Sequence, residues 1–121
     1  MDERLFIEHS PLGYSVCCYK SDWEEHILDL SGHSIMTNNL EAVRVTVIEP
    51  EAIFKSNQWE NRDIYFKRCS NATYGDKLYT KVVIQRPGLN DDSGWVVSAW
   101  PQPGIKGNIS EGGLIYVKPK L

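Results

Sequence analysis

The 121 residues predict a single α+β domain. Three observations carry that reading. Ser21-Asp22-Trp23-Glu24 writes a helix start, with Glu24 placed to reach back to a Ser cap and three acids in the first turn suiting the helix dipole. Asn38-Asn39-Leu40-Glu41 repeats that pattern, and Pro50 closes the segment begun there. From Ala52 onward, β-branched and aromatic runs alternate with Gly, Pro, Asn and Asp, the signature of strands joined by turns.

Composition narrows the class further. Hydrophobic residues make up 41% and charged residues 24% of the chain, the balance of an ordinary globular domain with one core. No apolar run approaches the roughly 20 residues of a membrane helix, so no membrane association is expected. The start, MDERLFIEHS, has no apolar signal core, which points to a cytoplasmic location. Cys17, Cys18 and Cys69 are odd in number and lack a CxxC spacing, so neither a disulfide framework nor a zinc site is expected. Net charge is −3, which excludes a strongly basic nucleic-acid groove. The charge is uneven: residues 1–30 hold seven acids against two bases, a net of −5, and the rest holds nine acids against eleven bases, a net of +2. A mildly basic sheet face fits that distribution.

Taken in order, Leu5–Glu8 and Gly13–Cys18 read as a hairpin around His9-Ser10-Pro11. Both faces of the second run are apolar, which argues against a fully exposed edge. In the first helix Trp23, Ile27 and Leu30 repeat at helical spacing, and His26 lies on or beside that stripe. Residues 40–48 fit either a helix (Leu40, Val43, Val47) or a strand (Val43, Val45, Val47), and the Asn caps with Glu41 favour helix. Ile53–Lys55 and Ile64–Arg68 are strands flanking a polar turn that carries Trp59. Leu78–Ile84 and Trp95–Trp100 form a hairpin around a loop rich in Pro, Gly, Asn and Asp. If that loop closes symmetrically, Lys81 pairs with Ser98, Val83 with Val96 and Tyr79 with Trp100, all on one face. Leu114–Val117 reads as a short final strand at an edge.

No strong catalytic signature appears: GxSxG, HExxH and a phosphate-cradling Gly loop are all missing. Asp91-Asp92 sits at a hairpin tip, where turn chemistry explains it, so neither a metal nor another cofactor is expected. The titratable candidates are few. His26, with an ordinary pKa near 6.5, suits proton transfer, and a helix histidine satisfied by hydrogen bonding is its alternative. His33 reads as a polar loop residue. Lys81 can stabilise charge on a phosphate or be a lysine on a solvated strand face. Ser98 can contact phosphate or face solvent. Tyr65, Lys67 and Trp100 fit a base-stacking platform with a phosphate anchor, although strand aromatics often belong to cores.

Certain motifs, in sequence, resemble a known group. Gly13-Tyr14-Ser15-Val16 is followed by Asp22-Trp23-Glu24-Glu25-His26-Ile27-Leu28 and a helix closing at Glu49-Pro50. Then come Ile64-Tyr65-Phe66-Lys67, Tyr79-Thr80-Lys81-Val82-Val83 and Trp95-Val96-Val97-Ser98-Ala99-Trp100-Pro101. The order resembles the small prokaryotic and phage domains of the barnase–EndoU–colicin–RelE nuclease-like superfamily over roughly residues 13–107. The resemblance implies N-terminal helices packed on a curved antiparallel β-sheet of about four to six strands. It also implies metal-independent RNA cleavage through attack of a 2′-hydroxyl on the adjacent phosphate. By position, His26 would be the acid/base, Lys81 the stabiliser of the charged phosphorane and Ser98 a hydroxyl donor. His33, Tyr65, Lys67 and Trp100 would contact substrate. Where the group commonly has a basic Arg-His pair, Asp29-Leu30-Ser31-Gly32-His33 stands instead. The lost Arg and the acidic balance raise a second expectation, an inactive member that binds RNA or a protein partner such as an antitoxin.

Overall fold

A computed structural model describes residues 3–30, 34–88 and 92–119. The chain opens with an antiparallel hairpin, β1 (Arg4–His9) and β2 (Ser15–Tyr19). A π-helix (Asp22–Leu30), a 3₁₀ turn (Ser34–Asn38) and α1 (Leu40–Ile48) follow. Then come β3 (Ala52–Ser56), β4 (Arg62–Arg68), β5 (Tyr79–Gln85), β6 (Ser93–Gln102) and β7 (Ile109–Val117). Among the described residues these strands form one seven-stranded sheet in the order β1-β2-β6-β5-β4-β3-β7.

This corrects the expected architecture. The helices are not an N-terminal layer, because the first hairpin precedes them and is itself part of the sheet. Nor is the sheet antiparallel: Ser15–Cys17 of β2 run parallel to Ser93–Trp95 of β6, making a mixed sheet with more strands than the four to six expected. The physical reason is that strand patterns fix which residues are extended but not which strands become neighbours. A parallel pair needs a long crossover, and everything between β2 and β6 supplies it. The apolar character of both faces of β2 is accounted for by its interior position between β1 and β6.

Residues 40–48 are helical, as the Asn caps favoured, and bury Ala42, Val43, Thr46 and Val47. The capping itself differs. Asn39 makes no side-chain bond to the helix; its amide nitrogen donates to Ile35 O and Thr73 Oγ1, and its oxygen accepts from the Thr73 N–H. The residue therefore ties the helix start to a distant loop.

The hairpin of β5 and β6 slides from the symmetric register. Gln85 lies opposite Trp95 and Ile84 opposite Val96, a shift of one residue at the loop end. A bulge at Val97 then adds another, so Val83 faces Ser98 and Lys81 faces Trp100. Side-chain direction alternates, so the first shift turns Val96 into the core and the bulge restores Ser98 and Trp100 to the Lys81 face.

Among the described residues the two main cores lie one on each face of the sheet. The larger packs Val16, Tyr65, Val82, Ile84, Val96 and Ala99 against Trp23, Ile27, Met36, Val43 and Val47 of the helical segments. The smaller packs Ile64, Phe66 and Val83 with Phe54, Trp100, Ile105 and Ile109, so the Gly- and Pro-rich segment after β6 covers part of the second face. No helix among the described residues is long and apolar enough to cross a membrane.

Candidate functional site

Beside the smaller core the sheet leaves a cleft of about 560 Å³, lined by Asp22, His26, Arg62, Gln85, Arg86, Pro87, Trp95, Val97 and Ser98. The π-helix packs against β6, and its buried residues Trp23 and Ile27 anchor it to the larger core. His26, one residue before Ile27, is left over half exposed, with a side-chain exposure of 55%. Its Nε2 lies 3.9 Å from Asp22 Oδ1, an i, i+4 pair on the π-helix. π-Helical turns are rare, and single-turn π-bulges are frequent at functional sites.

The sheet contributes the other wall. Arg62 opens β4 opposite Gln85 at the end of β5. The Arg62 Nε donates to Gln85 Oε1 at 2.7 Å, and the Gln85 amide nitrogen donates to the Arg86 carbonyl at 2.9 Å. One glutamine thus orients the first guanidinium and fixes the chain that carries the second. The Arg62 guanidinium also lies 4.9 Å from the Trp59 ring centre, and that of Arg86 lies 4.2 Å from the Tyr14 ring centre. Partial burial pulls the Arg62 pKa below its ordinary value, yet a guanidinium remains charged at neutral pH. The bulge at Val97 sets the face on which Ser98 stands.

Two arginines, one aspartate, one histidine and one serine therefore line the same cleft. Guanidiniums in fixed orientation suit a phosphate, which they bind through paired N–H donors. An imidazole is the side chain most often used in general acid–base catalysis. Among the described residues no cluster of three or more His, Cys, Asp or Glu side chains gathers to hold a metal ion.

His26 and Ser98 are thus brought together, while the other expected residues lie elsewhere. Lys81 is only 1% exposed. Its Nζ donates to the Gly107 carbonyl at 2.7 Å and to that of Lys106 at 3.2 Å, and it sits 4.7 Å from the Trp100 ring centre. Neither a solvated strand face nor the cleft holds it: the segment after β6 covers this part of the sheet and takes the ammonium out of the cleft. Burial pulls its pKa down to about 8. Tyr65 is fully buried on the helix-covered face. Lys67 lines a separate depression with Glu51, Arg68 and Lys118, where Arg68 already pairs with Glu51 at 3.2 Å. Trp100 lines a small hollow next to the cleft, whose other members include Trp59, Arg62 and Ser98. His33 and Asp91 lie outside the described residues.

Arg62, Arg86 and Asp22 carry no site signal in the sequence pattern comparable to that of His26, and Asp22 reads there only as part of the helix start. Arg62 had one visible signal, its two-residue spacing from Ile64 and Phe66, which places it on their face. Arg86 had none, because it follows the strand. No family model, curated protein or solved structure matches this chain.

Proposed function

We propose that the cleft binds the phosphodiester backbone of RNA and cleaves it by attack of a 2′-hydroxyl on the adjacent phosphorus. The observation that supports this reading most is the joint lining of one cleft by His26, Ser98, Arg62 and Arg86. His26 takes the proton of the 2′-hydroxyl as its oxygen bonds to phosphorus. The bond from phosphorus to the 5′-oxygen breaks, that oxygen takes a proton from water, the resulting hydroxide takes the proton that His26 releases, and a 2′,3′-cyclic phosphate is left. Arg62 and Arg86, rather than Lys81, offset the charge that grows on the non-bridging oxygens, and Ser98 donates a hydrogen bond to one of them.

The test is cleavage of a mixed RNA pool in EDTA. His26→Ala is expected to slow cleavage by about 10²–10⁴-fold, and Arg62→Ala by about 10²-fold or more. Lys81→Met, which alters no lining residue, should change the rate by no more than a few-fold. An intact RNA pool would remove the cleavage step from the proposal. One observation favours a second reading, binding without cleavage: among the described lining residues His26 is the sole imidazole, and no lysine joins it. Under that reading RNA is retained uncleaved, and Arg62→Ala weakens retention while His26→Ala does not.

A further inference from the structure

The hollow beside the cleft has a volume of about 140 Å³ and shares Arg62 and Ser98 with it. Pockets for drug-sized ligands span roughly 300–1,000 Å³, so this space accepts one ring system and little more. Its walls are Trp59 on the turn before β4 and Trp100 on β6. Trp59 is 56% exposed, an unusual placement for the largest apolar side chain. Trp100 is half-buried and backed by the Lys81 ammonium.

Gln58 and Asn108 also line the hollow, and side-chain amides can read the donor and acceptor pattern of a base edge. The turn that carries Trp59 is tied to the segment that carries Asn108. The Asn57 N–H donates to the Asn108 carbonyl at 3.0 Å, and Ser110 Oγ donates to the Ser56 carbonyl at 3.0 Å. Asn108 is held at φ +60°, a left-handed conformation that asparagine tolerates better than most residues. The hollow is therefore shaped in advance.

We infer that this hollow is a nucleobase subsite: it stacks one base of the bound strand on Trp59 and Trp100 while the adjoining phosphate rests at Arg62. The inference rests on the reading of the neighbouring cleft as a phosphodiester site. Arg62 is the hinge of the arrangement, since the residue lines both spaces and its guanidinium already lies against the Trp59 ring. A base entering the hollow extends that stack, and its sugar-phosphate is led directly into the cleft.

The experiment compares three probes by calorimetry and tryptophan fluorescence: the four nucleoside 3′-monophosphates, ribose 5-phosphate and inorganic phosphate. With the full chain, at least one nucleotide is expected to bind about 5- to 100-fold more tightly than ribose 5-phosphate, the range that stacking of one base supplies. Trp59→Ala should abolish that difference by weakening the nucleotides more than ribose 5-phosphate, while Trp59→Phe keeps part of it. Arg62→Ala should weaken all three probes. Equal binding of nucleotides and ribose 5-phosphate would overturn the subsite and leave the phosphate cleft standing. A nucleotide preference that survives Trp59→Ala would also overturn it. Binding of none of the probes would overturn the reading of the cleft, and the subsite with it.

Discussion

Asp63 and Lys81 lie on neighbouring strands, point to opposite faces and are both buried, at 0% and 1% exposure. The sheet accommodates the two charges in different ways. Asp63 faces the helix-covered core, at the end of a chain of hydroxyls. Tyr14 donates to its Oδ2 at 2.6 Å, Tyr65 donates to Tyr14 at 2.7 Å, and Tyr65 and Ser10 share a contact of 2.5 Å. Each phenol has one proton, so with Tyr65 donating to Tyr14 the Ser10 hydroxyl must donate to Tyr65. Burial, together with the neighbouring Tyr65 and Asp63, holds the Tyr14 phenol far above its ordinary range, which keeps it a donor at any working pH. The other carboxylate oxygen lies 3.3 Å from Lys55 Nζ, without the alignment of a hydrogen bond. Lys81 is instead held, among the described residues, by the backbone carbonyls of a loop and the faces of Trp100 and Phe66. Side chains from separate elements solve the first problem, and one covering segment solves the second.

The largest effect expected from this contrast is at Asp63. Asp63→Ala strands the Tyr14 hydroxyl in a dry core and opens space around it, for a loss of about 3 kcal/mol. Urea unfolding followed by tryptophan fluorescence measures it, and a loss below that of Lys81→Met would reverse the ranking of the two sites. Lys81→Met should shift stability at pH 7 by no more than about 1 kcal/mol. The variant loses the bond to the Gly107 carbonyl but also the cost of burying a charge, and the Lys106 carbonyl keeps its bond from Gln102. The pH dependence carries the clearer signature. The pKa of Lys81 falls from an ordinary 10.5 to about 8 on folding. Between those values the unfolded chain holds a proton that the folded chain has released, so stability rises with pH. The wild type should therefore gain stability relative to Lys81→Met from pH 8 to 10.5, and parallel curves would show an ammonium that is not buried.

That contrast also marks where the sequence is readable. The strands, the helix at 40–48 and the edge strand at the C-terminus follow from local patterns that the fold respects, such as Ile64, Tyr65 and Phe66 alternating between the two cores. Strand order does not follow, because the parallel pairing of β2 with β6 joins residues nearly eighty positions apart. The site is half legible for the same reason. His26 stands out as a histidine beside a buried helical stripe, and Ser98 as a polar residue in an apolar run. Lys81 has an identical pattern to a solvent-facing lysine, since what buries it is an irregular segment with no period to read. Arg62 and Arg86 acquire their meaning from Gln85, which lies opposite one and precedes the other.

The smallest effect tests whether the covering segment and the lysine form one unit. Gly107 has φ +86°, and a Cβ placed there would come 3.0 Å from Lys81 Nζ. Gly107→Ala is expected to cost about 1–2 kcal/mol for the left-handed backbone alone. In the Lys81→Met background the side chain is one atom shorter, so the contact at Nζ is relieved while the backbone cost persists. A double-mutant cycle by urea unfolding should then show a coupling of about 0.5 kcal/mol between the two positions. Simple additivity would mean that the ammonium does not rest against the loop, and that Lys81 is held chiefly by its aromatic neighbours. Coupling at this distance from the cleft also bears on the nucleobase hollow, because the backbone that Lys81 binds at Gly107 leads directly into Asn108 on its wall.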